Sequence, residues 1–286
     1  MKPAPFRYLA PTSIDEALDA LAEGAGAAKV LAGGQSLVPA MNFRLAAPEA
    51  LVDINRIGGF DDLVARDGEL GVGMLVRHSR FEAPVVSDPL GRLLARTSHL
   101  VGHLPIRVRG TFVGSMAHAD PAAEWCALAL ALDATIVARR ASGERTIAAK
   151  DFFEGPFTTA LRDDEIVTEV RIPLVGHGGA AVREKSHTAG DFATVAVIAV
   201  LRLEGGSIGE ARIALAGVEG TPVRAAVAES TLEGASPGFY AFRAAAHAAA
   251  AGVSPIGDAL ASQDYKRHLV QVLVERTLQD ALEDAA

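Results

Sequence analysis

The sequence predicts an α+β fold, on three observations. Short apolar runs alternate with amphipathic stretches as far as residue 175; three strand-like runs then follow one another; only helical patterns come after them. Gly176-His177-Gly178-Gly179 separates the two regimes and reads as a linker. The 286 residues, half of them hydrophobic, suffice for two or three packed lobes. The expected division is an N-terminal α/β lobe over residues 1–55, a second α/β lobe over 56–177, and a C-terminal lobe over 178–286 with a three-stranded antiparallel sheet and helices.

Each element has a local reason. Ser13 opens a helix, with Glu16 three residues on as in a capping box, Leu18 and Leu21 on its apolar face, and Gly24 at its end. Lys29–Ala32 and Leu51–Ile54 read as strands, as do residues 69–76, where small residues alternate with apolar ones. Arg92–His103 and the apolar Ala122–Leu132 read as helices. Thr135–Ala138 and Glu165–Pro173 are further strands, the first turned by Ser142-Gly143. Beyond the linker, Ala181–His187, Thr194–Leu203 and Ala211–Val218 are strands, with turns at Gly190-Asp191 and Gly205-Gly206. Helices are expected at 222–233, 239–251 and 263–283.

Composition excludes several functions. A net charge of −8 leaves no basic surplus for nucleic-acid backbones, although an anionic cofactor can still be held by local N–H dipoles. One cysteine, Cys126, rules out a disulfide within the chain and an iron–sulfur cluster held by the chain alone. No metal-ligand spacing is evident, so no metal is expected. The first residues lack a signal-peptide core and no apolar run is long enough to span a membrane, which points to a cytoplasmic protein.

Two glycine-bearing segments carry the chemistry. Val30-Leu31-Ala32-Gly33-Gly34-Gln35-Ser36-Leu37 follows a strand; Thr111-Phe112-Val113-Gly114-Ser115 leads into His118-Ala119-Asp120-Pro121. Bare backbone amides reach an anion only where no Cβ intervenes, and hydroxyls add donors, so two such segments suit the phosphates of a dinucleotide. The first is also a common tight turn, and its spacing is not the G-x-G-x-x-G fingerprint. Asp120-Pro121 reads as a helix cap, and Arg107 and Arg109 as two charges on one strand face. His118 has no nucleophile to serve. Cys126, beside Trp125, reads as buried packing. Lys185 lies on a polar strand that is either a solvated hairpin or one wall of a cleft.

These residues resemble the FAD-binding medium subunits of the molybdenum hydroxylases, of the aerobic carbon monoxide dehydrogenase and xanthine dehydrogenase type. The resemblance spans almost the whole chain: Phe6-Arg7-Tyr8, Ala32 through Pro39, Asp53-Ile54-Asn55, Ile106 through Thr111, Gly114 through Glu124, Gly190-Asp191-Phe192-Ala193 and Asp264 through Leu269. It implies a vanillyl-alcohol-oxidase-like (PCMH-type) FAD fold. Val30, Leu31, Ala32, Gly33, Gly34, Gln35, Ser36 and Leu37, with Thr111, Val113, Gly114 and Ser115, would hold the pyrophosphate. His118, Asp120 and Glu124 would line the sugar and phosphate region, Ile166 and Val167 would approach the flavin end, and Lys185 the ring. Phe112-Val113 departs from the usual Ile/Leu-Gly. Gln35 replaces a histidine often found there, which implies non-covalent FAD.

The resemblance further implies a large molybdopterin subunit and a small subunit with two [2Fe–2S] clusters, assembled as a dimer of heterotrimers. Electrons would pass from those clusters to FAD and on to an external acceptor. The alternatives are a self-sufficient FAD-dependent oxidase or reductase of the same fold, or a flavin-free scaffold subunit; retention of Gly33, Gly34 and Gly114 speaks against the last.

Overall fold

The computed structural model describes residues 2–285. Its first sheet is parallel: β1 (Arg7–Leu9), β2 (Ala28–Leu31) and β3 (Ala50–Asp53), with β3 central. Between β1 and β2 runs α1 (Ile14–Gly24), which buries Ile14, Ala17, Leu18 and Leu21 on one face. Ser13 Oγ accepts the Glu16 amide at 3.2 Å, as a cap should. The return arm differs from a capping box: the Glu16 carboxylate accepts the Thr12 amide at 2.8 Å. A helix that the sequence did not announce, α2 (Leu37–Asn42), follows the first glycine turn.

The second sheet is antiparallel. β4 (Leu63–Arg66), β5 (Glu69–Gly73), β6 (Thr135–Arg140) and β7 (Gly143–Ala148) are joined by β10 (Ile166–Pro173), in the order β4-β5-β10-β6-β7; β8 (Phe153–Gly155) and β9 (Thr158–Thr159) form a separate small hairpin. Its helices are α3 (Pro89–Leu100), α4 (Leu104–Arg107), α5 (Phe112–His118) and α6 (Glu124–Ala131). α3 starts three residues before the expected Arg92, because the Asp88 carboxylate caps it by accepting the Leu90 amide at 2.8 Å and Pro89 fits the first turn.

The last sheet has four strands, not three: β11 (Gly179–Ser186), β12 (Ala193–Glu204), β13 (Ser207–Ala216) and β14 (Val223–Arg224). The expected helix at 222–233 therefore shortens to α7 (Ala226–Leu232). Val223 and Arg224 pair with Leu215 and Ala214, while the Arg224 guanidinium binds Glu229 and Asp133, which holds this stretch extended. α8 (Phe239–Gly252) and α9 (Gln263–Ala285) complete the lobe.

Two cores share the central strand β12. Ala196, Ile198 and Val200 face the core shared with the first two sheets, together with Ala214 and Ala216, whereas Val195, Val197, Ala199 and Leu201 face the helices α7–α9. That two-sided burial explains an uninterrupted apolar run in an antiparallel strand. α6 is buried on all sides, which accounts for the lack of a polar stripe in Trp125–Ala131.

Asp284 of α9 ties the lobes together. Its carboxylate, 3% exposed, accepts from Arg92 Nε at 2.9 Å, Arg96 Nη2 at 3.0 Å and the Ala180 amide at 3.2 Å. Burial alone would raise its pKa, but the Arg92 and Ala180 hydrogen bonds and both arginine charges hold it below the ordinary carboxylate value. Asp284→Ala is expected to cost about 1.5–3 kcal/mol in thermal melting near neutrality. Because the folded pKa is depressed, this stabilisation is complete above the ordinary carboxylate range and is lost as pH falls through the lowered value, so the gap from wild type should narrow in acid.

Candidate functional site

The two glycine segments meet. A Cβ built on Gly33 would lie 2.4 Å from Arg109 O and 2.5 Å from Gly110 Cα, so only glycine permits this approach of backbones. Gly34 takes φ +73°, the left-handed geometry that turns the chain from β2 toward α2. Gln35 Nε2 donates to Gly33 O at 3.1 Å, and the Val38 amide donates to Gly34 O at 3.1 Å. Among the described residues, the amides of Gly33, Gly34, Gln35 and Ser36 donate to no protein acceptor. Four successive unpaired N–H donors in a glycine turn form a concavity for an anion.

The second segment is a capped helix, not a loop. Thr111 Oγ1 accepts the Gly114 amide at 3.1 Å and is the N-cap of α5, so that hydroxyl and that amide satisfy each other. The Phe112 amide donates to Val76 O at 3.0 Å. The amides of Thr111 and Val113 donate to no protein acceptor among the described residues. A helical conformation also explains why Phe112-Val113 fits here: both side chains point into the core, and what remains outside is backbone.

A polar clamp fixes the two segments against each other. Asn55 Nδ2 donates to Ala32 O at 2.8 Å; Asn55 Oδ1 accepts from Arg77 Nη2 at 2.7 Å; and Arg77 Nη1 donates to Arg109 O. Asp53 accepts the Asn55 amide at 2.9 Å and the Tyr8 hydroxyl, which raises the pKa of that hydroxyl. Burial, then the nearby Arg109 charge, lowers the pKa of Arg77. Arg77 and Arg109 thus place positive charge at the junction of a chain that is acidic as a whole. Sequence reading gave no role to Arg77, because its contacts join positions far apart in the chain. Asn55, two residues beyond an Asp at a strand end, was the available signal.

Beneath the second segment lies an aromatic cluster. Trp125 stands 5.0 Å from the Phe112 ring and 5.5 Å from Phe81, centroid to centroid. Its indole Nε1 donates to His78 Nδ1 at 3.0 Å, and the His78 amide donates to Gly110 O at 3.1 Å. The proton of His78 is therefore on Nε2. Burial, with the charges of Arg77 and Arg107, pushes its pKa down to about 4. His78 should stay neutral in ring-nitrogen NMR down to about pH 5, and its stabilising contact is lost as pH falls through the folded value. Protonation near pH 6 would contradict this.

The remaining predicted residues are placed as follows. Val30, Leu31, Ala32, Ser36 and Leu37 are half-buried along the first turn. Ser115 and His118 are half-buried on α5, where burial lowers the His118 pKa against the opposing charge of Asp120. Asp120 does not cap α6, which begins at Glu124; its carboxylate accepts the Ala122 amide at 2.9 Å and closes a turn before the helix. Glu124 is 4% exposed. Ile166 and Val167 on β10 are buried, with side chains in the main core. Lys185 is exposed on β11. Arg107 lies on a short helix, not on a strand face with Arg109, because it is held there by Glu82 at 2.8 Å and Gly102 O at 2.9 Å.

Comparison with known proteins agrees with this architecture. Residues 4–175 match the FAD binding domain in molybdopterin dehydrogenase, and residues 180–281 match the CO dehydrogenase flavoprotein C-terminal domain. The chain is 38% identical to 6-hydroxypseudooxynicotine dehydrogenase complex subunit alpha of Paenarthrobacter nicotinovorans, over 100% of this chain and 97% of that one. It is 36% identical to the carbon monoxide dehydrogenase medium chain of Hydrogenophaga pseudoflava, over 98% of each. Among solved structures, carbon monoxide dehydrogenase from the same organism superimposes with a TM-score of 0.96 at 36% identity, covering 100% of both chains. Quinoline 2-oxidoreductase from Pseudomonas putida 86 gives 0.93 at 33% identity, covering 100% of this chain and 99% of that one. No described helix is long and apolar enough to cross a membrane.

Proposed function

The chain belongs to the family of FAD-binding medium subunits of molybdopterin dehydrogenases, and from that premise we propose that it is the electron-transfer subunit of a molybdenum hydroxylase complex. It takes electrons from [2Fe–2S] clusters of a small partner subunit and delivers them to an external acceptor, while a large molybdopterin subunit oxidises the substrate. The observation that carries this reading is the set of unpaired amides at Gly33–Ser36, closed over by Arg109-Gly110.

FAD, when bound, supplies one- and two-electron exchange. This chain's part is to hold and orient it. The amides of Gly33, Gly34, Gln35 and Ser36, with those of Thr111 and Val113, present donors to the pyrophosphate. Ser36 and Ser115 add hydroxyls. Asp120 and Glu124 lie beyond α5 for the sugar region, the backbone of Ile166 and Val167 lines the flavin end, and Lys185 supplies a cation toward the ring. Gln35 donates to its own turn and forms no covalent link, so FAD is releasable by denaturation.

The test is anaerobic flavin reduction followed by absorption. In the complex purified from its host, an oxidisable substrate should bleach the flavin bands only when all three subunits are present. The isolated chain, loaded with FAD, should stay oxidised with the same substrate. Bleaching of the isolated chain would replace this reading with a self-sufficient oxidoreductase.

A further inference from the structure

The first sheet has one face that the chain leaves largely open. In the strand order β1-β3-β2, the crossover through α1 runs from edge to edge and the crossover through α2 runs back to the centre. Right-handed crossovers of opposite sense put the two helices on opposite faces. On the α1 face, Ala28, Ala50 and Val52 join the main core with Leu18 and Leu21. On the other face, strand alternation places Leu51 between Tyr8 and Lys29, its register partners on β1 and β2. The Tyr8 hydroxyl donates to Asp53, two residues beyond Leu51, which fixes Tyr8 on that side. Leu51 and Met41 of α2 are both buried, yet they belong to neither core. Parallel sheets are covered on both faces, but α2 has only six residues. Tyr8 remains 53% exposed, and Phe6, two residues before it, 37%.

The end of α2 enlarges this face. Arg44 takes φ +59°, a left-handed conformation that ordinarily falls to glycine after a helix. Its amide donates to Met41 O at 3.0 Å and the Leu45 amide to Ala40 O at 2.8 Å, the two bonds of a Schellman turn. The turn is therefore ordered, yet the apolar contact that usually closes it is not buried: Leu45 is 83% exposed and the neighbouring Phe43 66%. Large apolar side chains held outward by an ordered turn mark a contact surface. The charges around them are mostly positive. Lys29 and Arg44 are exposed, and the exposed Arg56 stands near enough to Tyr8 and Asp53 for its charge to act on both. None of the three makes an ion pair among the described residues. Against them stand Glu49, exposed and in alternation with Leu51, and Asp53, already engaged by Tyr8 and the Asn55 amide.

We propose that this face docks a different chain of the complex, one that presents apolar side chains to Phe6, Tyr8, Phe43 and Leu45 and carboxylates to Lys29, Arg44 and Arg56. Such docking presupposes the reading of this chain as one subunit among several. A second copy of the chain is a poor occupant. Pairing the face with itself sets Lys29, Arg44 and Arg56 against their own copies, and pairing it with another face of the same chain leaves an open face at each step. Three cations on a chain of net charge −8 are also too few to hold a nucleic acid or an anionic membrane. An apolar centre with an acidic rim on a protein partner satisfies both halves of the surface.

The test uses the complex, purified through an affinity tag on this chain from a host that makes all its subunits. Leu45→Asp and Phe43→Asp each put a carboxylate opposite the partner's own. Each should weaken retention of an identified partner subunit by about tenfold or more, read as the subunit ratio on dilution. Arg44→Glu should weaken it too, and its gap from wild type should narrow at high salt. Circular dichroism and FAD content of the variants report the fold and the cofactor site separately, since these side chains are exposed. Leu45 replaced by photoreactive benzoylphenylalanine should cross-link to the same partner subunit, which decides the matter even if an Asp variant fails to fold. Unchanged retention in both Asp variants, or a cross-link to a second copy of this chain or to no partner subunit, would overturn the docking face while leaving the flavin reading intact. If wild type itself brings down no partner subunit, the subunit reading falls and the docking face with it.

Discussion

Gly33→Val should abolish FAD retention. The new Cβ would stand 2.4 Å from Arg109 O and 2.5 Å from Gly110 Cα, both backbone atoms of a segment pinned by Arg77 and by the His78 amide. Neither can yield as a flexible side-chain end would. The two segments must separate, and the donors that converge on the pyrophosphate separate with them. Loss of two or three charge-assisted hydrogen bonds, at about 1.5–3 kcal/mol each, weakens binding by at least about a hundredfold. FAD released on heating should fall from one per chain to a trace. Circular dichroism shows whether the variant is folded, because the unpaired amides lie outside the cores. A folded Gly33→Val chain with full flavin content would remove the pyrophosphate from this turn.

The second large effect is structural, at a residue that supports the same site from below. Trp125→Ala should destabilise the chain by about 3–5 kcal/mol. The indole is fully buried among Phe81, Phe112 and His78, and its removal opens a large cavity and strips His78 Nδ1 of its donor. Trp125→Phe separates the two contributions. It keeps most of the packing and loses the hydrogen bond, so it should cost about 1–3 kcal/mol. Chemical denaturation measures both. Equal losses for the two variants would mean that the hydrogen bond to His78, not packing, dominates.

Elements whose signal is local were legible in the sequence. Val195–Leu201, within the expected strand Thr194–Leu203, is an uninterrupted apolar run because both faces of β12 are covered, and Ser13 capped α1 where the residue pattern placed it. The α5 helix was hidden. Gly114 and the hydroxyls of Thr111 and Ser115 read as loop chemistry, whereas Thr111 is a cap and Gly114 a helical position whose amide it satisfies. β14 was hidden too, since only its pairing with Ala214-Leu215 and the bonds of Arg224 to Glu229 and Asp133 make two residues into a strand.

For the site, composition and spacing identified two glycine segments, and resemblance supplied a shared ligand. The clamp that joins them could not be read from the chain. Asn55, Arg77, Arg109 and Gly33 are remote in sequence, and their hydrogen bonds exist only once the parallel sheet and the second sheet are packed.

The measurement that tests the central claim most directly is flavin stoichiometry: absorption of the purified chain and of its native assembly, followed by chromatography of the flavin released by heat. The account predicts about one FAD per chain in the assembly, released without covalent attachment, and uptake of added FAD by the isolated chain. An assembly and an isolated chain that are both colourless, and that take up no added FAD, would contradict it.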